Sequence, residues 1–269
     1  MKTSRALCGL ISGLLLLAAG TAQTHAGLLV PAAPGAHLYV ANFFINTIER
    51  LTPGGVGSVF AHVDAQGLAF DSAGNLYATS GSTIEKFTRP GGTGSVFAST
   101  GLNGPRGLAF DSAGNLYAAN SDNTIEKFTP GGTGSVFAST GLNGPTGLAF
   151  DSAGNLYAAN KGDSTIEKFS PGGVGSVFAN TGSIYGGGQP VGLAFDSAGN
   201  LYAANFNYST IEEFSSTGTD LGVFAGNFGG LNGPTYLAFA PVPEPVPEPG
   251  TALFGIACAG VAAFRRRRR

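Results

Sequence analysis

Short apolar runs alternate with polar turns along the whole middle of the chain. The stretch 147–169, GLAFDSAGNLYAANKGDSTIEKF, shows the pattern well. Gly-Leu-Ala-Phe (147–150) is followed by Asp-Ser-Ala-Gly (151–154) and Asn-Leu-Tyr-Ala-Ala (155–159). After a polar turn come Thr-Ile-Glu-Lys-Phe (165–169), Ser-Pro-Gly-Gly (170–173) and Ser-Val-Phe-Ala (176–179). These read as four strands joined by Gly, Pro, Asn and Asp, and no window has the length and period of an amphipathic helix. In the first turn Asp151 can accept a backbone N–H two residues on. Gly154 can supply the positive φ that lets an antiparallel hairpin reverse.

The unit recurs. Leu-Tyr stands at 38–39, 76–77, 116–117, 156–157 and 201–202, and Thr-Ile-Glu at 47–49, 83–85, 124–126, 165–167 and 210–212. Val-Phe-Ala stands at 59–61, 96–98, 136–138, 177–179 and 223–225, and Leu-Ala-Phe at 68–70, 108–110, 148–150, 193–195 and 237–239. Each element appears five times at a spacing near forty residues. Four strands per repeat at this period predict an all-β fold, a five-bladed β-propeller of four-stranded antiparallel blades.

The phase of the repeats bears on ring closure. They start on a second strand, His37–Val40, and end on a lone first strand, Tyr236–Phe239. The expectation is that the last strand completes the first sheet, which would leave no open edge between first and last blade. Gly27-Leu28-Leu29-Val30 also resembles a first strand. An open array of five units with a spare strand is the rival arrangement.

The run Gly-Leu-Ala-Phe-Asp-Ser-Ala-Gly-Asn-Leu-Tyr-Ala-Ala-Asn, followed by Thr-Ile-Glu-Lys-Phe, resembles the NHL-type propeller repeat over roughly residues 37–240. The absence of Trp speaks against WD40 and kelch blades. The resemblance implies a fold and no single activity, because NHL-type propellers include scaffolds, lyases and lactonases.

Both chain ends read as addresses. Residues 1–26 carry Lys2 and Arg5, an apolar run from Leu10 to Ala19, and Thr24-His25-Ala26. That is the layout of a signal peptide cleaved by signal peptidase after Ala26. Residues 27–36 form a lead-in to the propeller at 37–240, and 241–249 (PVPEPVPEP) form a Pro-rich extended linker. Residues 250–264 are apolar and uncharged, and Arg265, Arg266, Arg267, Arg268 and Arg269 end the sequence. This predicts a short hydrophobic helix that anchors the protein transiently in the membrane with the basic cluster on the cytoplasmic side. Pro247, Glu248 and Pro249, then the apolar run, then the arginines, closely resemble a PEP-CTERM sorting signal. The resemblance implies a Gram-negative-type bacterium, recognition by an exosortase, loss of the tail, and delivery to the cell surface or exopolysaccharide matrix. An earlier copy, Val242–Pro245, does not abut the apolar run.

Charge and cysteine agree with export. Residues 27–264 hold seven basic and sixteen acidic side chains, a net −9, which disfavours nucleic acid and anionic membranes. Cys8 and Cys258 both lie in the ends, so the propeller has no disulfide and depends on packing between blades.

Candidate chemistry is sparse. His37 and His62 are the only histidines of the middle and have no matching Cys or His cluster, which argues against a zinc site or a His-based lyase. Asp71, Asp111, Asp151 and Asp196 form a ring of like residues that could hold Ca²⁺ through oxygens, although each also opens the same turn, where Asp serves the backbone. Ala240 takes that place in the last unit. Asn42, Asn120, Asn160 and Asn205, with Ser80, form a second polar ring at strand ends. Tyr39, Tyr77, Tyr117, Tyr157 and Tyr202 fit blade packing, or stacking on sugars if exposed. The Gly-rich stretch 182–188 breaks the symmetry. It lacks the following helix and Lys-Ser/Thr of a phosphate cradle, so it reads as a surface loop offering Tyr185 as a contact.

Residues 95–120 and 135–160 are identical except at Arg106 and Thr146. Catalysis needs unlike groups in unlike roles, whereas near-identical blades suit multivalent binding. The sequence therefore predicts an exported, non-catalytic binding or structural module. Exopolysaccharide or another envelope protein is the expected partner, and no cofactor is implied beyond the Ca²⁺ alternative. The second reading is a metal-dependent lactonase- or lyase-like propeller.

Overall fold

A computed structural model describes residues 26–29, 38–42, 45–51, 56–88, 93–182, 187–226, 234–235 and 237. Each repeat forms one four-stranded antiparallel sheet. The first contains β1 (Ala26–Leu29), β2 (Leu38–Asn42), β3 (Thr47–Leu51) and β4 (Gly57–Ala61), and the second β5 (Leu68–Phe70), β6 (Leu76–Ser80), β7 (Thr83–Phe87) and β8 (Gly94–Ala98). The third contains β9 (Leu108–Phe110), β10 (Leu116–Ala119), β11 (Ile125–Phe128) and β12 (Gly134–Ala138). The fourth contains β13 (Pro145–Phe150), β14 (Leu156–Asn160), β15 (Thr165–Phe169) and β16 (Gly175–Asn180). The fifth contains β17 (Pro190–Phe195), β18 (Leu201–Asn205), β19 (Thr210–Phe214) and β20 (Asp220–Ala225). First strands of successive sheets lie beside one another. They therefore ring a common axis, with the fourth strands at the rim, in a five-bladed β-propeller.

The core lies between blades. Tyr77 meets Phe97 of its own blade at 4.9 Å and Phe110 of the next at 5.0 Å, edge to face both times. Tyr39, Tyr117 and Tyr157 repeat the arrangement. Such offset aromatic pairs contribute beyond their buried area. Around them pack the strand-two Leu and Ala and the strand-three Ile and Phe, as in the cluster of Tyr117, Ile125, Leu148, Leu156 and Phe169. Tyr is thus the residue through which one repeat holds the next.

The rim strands carry a feature absent from the strand pattern. Ile125 pairs with Ala138 but Glu126 pairs with Val136, so Phe137 is an extra residue. The same shift occurs at Phe60, Phe97, Phe178 and Phe224. A bulge at this point bends the outermost strand and interrupts its exposed edge, which hinders pairing with a second chain.

The first blade corrects the expected closure. Its inner strand is β1, with Gly27 opposite Ala41 and Leu28 opposite Val40. The segment 27–36 is therefore more than a lead-in, and cleavage after Ala26 would leave Gly27–Leu29 of the strand in place. Close approach between blades explains why this strand holds the position. A Cβ on Gly147 would stand 2.6 Å from the carbonyl oxygen of Val191 in the next blade, and Gly67 and Gly107 are hemmed in the same way by Arg106 and Thr146. Gly27 falls at that register position, whereas the C-terminal copy reads Thr-Tyr-Leu-Ala-Phe (235–239) and puts Tyr236 there. Most of that copy lies outside the described residues. So do residues 1–25, His37, the linker 241–249 with Pro247, Glu248 and Pro249, the apolar segment 250–264 and Arg265–Arg269. Among the described residues no helix is long and apolar enough to cross a membrane.

Candidate functional site

Antiparallel strands give the propeller two ends. Turns between strands one and two and between three and four share one end, and the remaining turns and the blade-to-blade connections share the other.

At the first end each Asp of the predicted ring is consumed by its own turn. Asp151 Oδ1 accepts the Ala153 and Asn155 backbone N–H groups at 2.9 and 2.8 Å. Its Oδ2 accepts Asn155 Nδ2 at 2.8 Å and the Tyr157 hydroxyl at 3.2 Å, and Lys168 Nζ lies 3.9 Å away. Asp71 and Asp111 have the same partners in their blades. Burial acts to raise these three carboxyls, but the Asn side-chain and backbone hydrogen bonds outweigh it and hold all three below the ordinary Asp value. The four aspartates thus serve four separate turns. Among the described residues no three His, Cys, Asp or Glu side chains gather where they could hold a metal ion. His62 is exposed, between β4 and β5.

Gly154 has φ 81° with nothing within 4 Å of a Cβ built on it. Gly154→Ala is therefore expected to cost only backbone strain, about 1 kcal/mol, read as a lowered urea midpoint with unchanged slope.

The role of the strand-three Lys was not anticipated, although the hairpin register contains it. Tyr157 stands directly opposite Lys168, as Tyr77 does Lys86 and Tyr117 does Lys127. Each ammonium sits over its Tyr ring, 5.2–5.3 Å from the centroid, beside the Asp. In the fifth blade Glu213 replaces Lys. The Tyr202 hydroxyl donates to Glu213 Oε1 at 2.8 Å, and burial together with that bond pushes Tyr202 up to about 12. Tyr77, Tyr117, Tyr157 and Tyr202 are all buried, so their rings are closed to a sugar.

At the other end the Asn ring links blades. Asn120 Nδ2 donates to the Gly101 carbonyl at 2.8 Å and to Thr124 Oγ1 at 3.0 Å, while its Oδ1 accepts the Asn103 N–H at 3.2 Å. Asn160 does the same with Gly141, Thr165 and Asn143. Asn205 donates to Thr210, but its buried Oδ1 accepts no hydrogen bond from any described residue. Here the longer connection between β16 and β17 replaces the standard one. Of that connection, residues 183–186, including Tyr185, lie outside the described residues.

A row of buried carboxylates at this end also escaped the sequence reading. Glu126 and Glu167 are buried on strand three, close against Gly101 and Gly141. Burial, then the negative charge of Asp122 or Asp163, holds both above the ordinary Glu value. Glu212 accepts the Gly182 N–H at 3.0 and 2.9 Å. These opposite shifts predict the pH response. The depressed aspartates give stability that is present above their unfolded value of 3.8 and lost as pH falls through their lower folded values. Glu126 and Glu167 act oppositely. They bind protons more tightly when folded, so their cost is absent at low pH and grows as pH rises from 4.5 through their folded values. Glu126→Gln together with Glu167→Gln is therefore expected to raise stability at neutral pH, with the gain shrinking as pH falls through that window. Urea unfolding across the pH series reads this directly.

No family model matches the chain, and no curated protein matches it in sequence. Solved structures do share the fold. The virginiamycin B lyase of Staphylococcus aureus superposes with TM-score 0.61 at 14% identity, covering 75% of this chain and 71% of the lyase. A gluconolactonase of Xanthomonas campestris gives 0.63 at 19% identity, covering 76% of each. The nidogen/laminin complex contributes a chain at 0.53 and 22% identity, covering 71% of this chain and 94% of that one. At such identities the likeness concerns the fold, which these proteins put to different uses.

Proposed function

We propose that this chain is an exported cell-surface or exopolysaccharide-matrix protein whose propeller is a non-catalytic binding and structural module. The observation that carries this reading is how the polar residues of the repeats are used. Asp is taken up by its turn, Tyr by Asp and the neighbouring blade, and Asn by the blade connection. A catalytic centre needs unlike groups converging on one substrate. Repeated blades instead offer repeated contacts, from which avidity follows.

In this reading signal peptidase removes the N-terminal segment and an exosortase acts at Pro247-Glu248-Pro249. The apolar segment and Arg265–Arg269 hold the intermediate briefly in the inner membrane. The test replaces Pro247, Glu248 and Pro249 by alanine in the native host and follows the protein by fractionation. Accumulation of an uncleaved, membrane-bound form is expected, while the wild-type protein goes to the surface or matrix. Equal distribution of the two would contradict the sorting reading.

The lactonase and lyase structures favour a second reading, an enzyme with a divalent ion held by carboxylates and amides in the central channel. Metal analysis of chain purified without chelator separates the two. A stoichiometric, tightly held ion supports the enzyme, and its absence favours the module.

A further inference from the structure

We propose that Asn103 is a site of spontaneous covalent modification: the Gly104 backbone nitrogen closes on its side-chain amide and converts it to aspartyl and isoaspartyl forms, while the identical Asn143-Gly144 pair is shielded by a contact from the neighbouring blade. The inference concerns the connections between blades and does not depend on what the propeller binds.

In an Asn-Gly pair the glycine nitrogen can attack the asparagine Cγ, because the glycine has no Cβ to obstruct the approach and its backbone turns freely. A Cγ–N bond forms, the Cγ–Nδ2 bond breaks, and ammonia leaves with the proton from the glycine nitrogen. Water then opens the cyclic imide at either carbonyl. Opening at the γ-carbonyl gives Asp. Opening at the α-carbonyl gives isoaspartate, in which the backbone runs through Cβ and Cγ. Either product gains one negative charge. The first step needs a glycine N–H that is free to lose its proton and to turn toward Cγ.

The repeats supply a matched pair of such sites. Residues 95–105 and 135–145 are identical, and each segment holds one Asn-Gly pair. Both asparagines are exposed. Asn103 N–H donates to Asn120 Oδ1 and Asn143 N–H to Asn160 Oδ1, each at 3.2 Å. The Asn103 carbonyl accepts the Ser121 N–H at 2.8 Å, and the Asn143 carbonyl accepts the Gly162 N–H at 2.9 Å. Gly104 has φ 52° and Gly144 φ 59°.

The glycine nitrogens differ. Gly144 N–H donates to Asn123 Oδ1 at 2.7 Å, across from the β10–β11 turn of the preceding blade. Gly104 N–H makes no hydrogen bond with any described residue. The preceding blade explains this, because its β6–β7 turn is Gly81-Ser82 and offers no side-chain amide. The nucleophile is thus held in one copy and free in the other. A third pair, Asn232-Gly233, lies outside the described residues.

The modification acts on the blade connection. Asn103 ties it to blade three through both its N–H and its carbonyl. Isoaspartate inserts an extra backbone atom between those two anchors. The new carboxylate also arises on the segment that covers the buried Glu126, which lies against Gly101.

The purified full chain, held in mild detergent, is aged at mildly alkaline pH, which promotes loss of the glycine amide proton. Tryptic peptides 87–106 and 128–161 separate the two sites, and mass spectrometry follows amide turning to acid in each. Asn103 is expected to convert about fivefold faster than Asn143, the factor that the net free energy of one hydrogen bond is worth. In concentrated urea the two rates should converge, because the local sequences are the same. Asn123→Gly removes the shielding oxygen, and glycine adopts the φ of 64° found there without strain. It is expected to raise the Asn143 rate to that of Asn103 and to leave Asn103 unchanged. Equal rates in the folded chain, a difference that persists in urea, or an Asn143 rate unmoved by Asn123→Gly would each overturn the inference.

Discussion

Gly107→Ala is expected to destabilise the propeller by about 3 kcal/mol or more, although it adds one methyl group to a strand. The new Cβ would press on the Thr146 carbonyl of the next blade, with the Thr146 carbonyl carbon at 3.0 Å and Gly147 Cα at 3.3 Å. These are backbone atoms of a paired strand, so relief requires one blade to move against another. Gly154→Ala is the useful contrast, since its cost is conformational and its surroundings are open. Urea unfolding of both variants should therefore separate them by about 2 kcal/mol in the stated order. Equal midpoints would mean that the inner strands are less closely apposed than the fold requires.

Phe169→Ala carries the largest expected loss, about 3–5 kcal/mol. Phe169 is fully buried between blades three and four, among Tyr117, Ala119, Ile125, Leu148 and Leu156, with the Phe137 ring at 6.1 Å. Its removal leaves a cavity lined by two sheets that cannot collapse without breaking the Tyr117 contacts. Val177→Ala, on the exposed rim of the same blade, should change stability by less than about 0.5 kcal/mol. Thermal unfolding of the pair reads whether stability resides between blades, where a propeller without cysteine must place it.

Much of this was legible in the repeats. Four strand signals per unit, Asp and Gly bounding one turn, and Tyr alternating with small residues together specify the blade and its packing. Those are local properties, and period and turn chemistry report local properties. What stayed hidden depends on contacts between units. Gly27 and Tyr236 look like minor variants of one motif until the close approach at Gly67, Gly107 and Gly147 shows that only glycine fits. The Lys168 contact follows from the Tyr157 pairing, but only once the register is known. The Phe137 bulge is a matter of pairing, evident only once Ile125 stands opposite Ala138 and Glu126 opposite Val136. Nothing in the repeat pattern marks Glu126 and Glu167 as buried, because their burial comes from the connection that crosses over them. Sequence reasoning weighed the Asp ring as a cation site, and the structure gives each of its members a turn to hold.

The central claim is that repetition here serves binding. Co-sedimentation of the purified full chain with its host's own extracellular polysaccharide, with and without added Ca²⁺, tests it most directly. The account predicts saturable binding that does not depend on Ca²⁺, because Asp71, Asp111, Asp151 and Asp196 are each committed to their own turns. Binding that appears only with Ca²⁺ would contradict that assignment, and no binding in either condition would contradict the module itself.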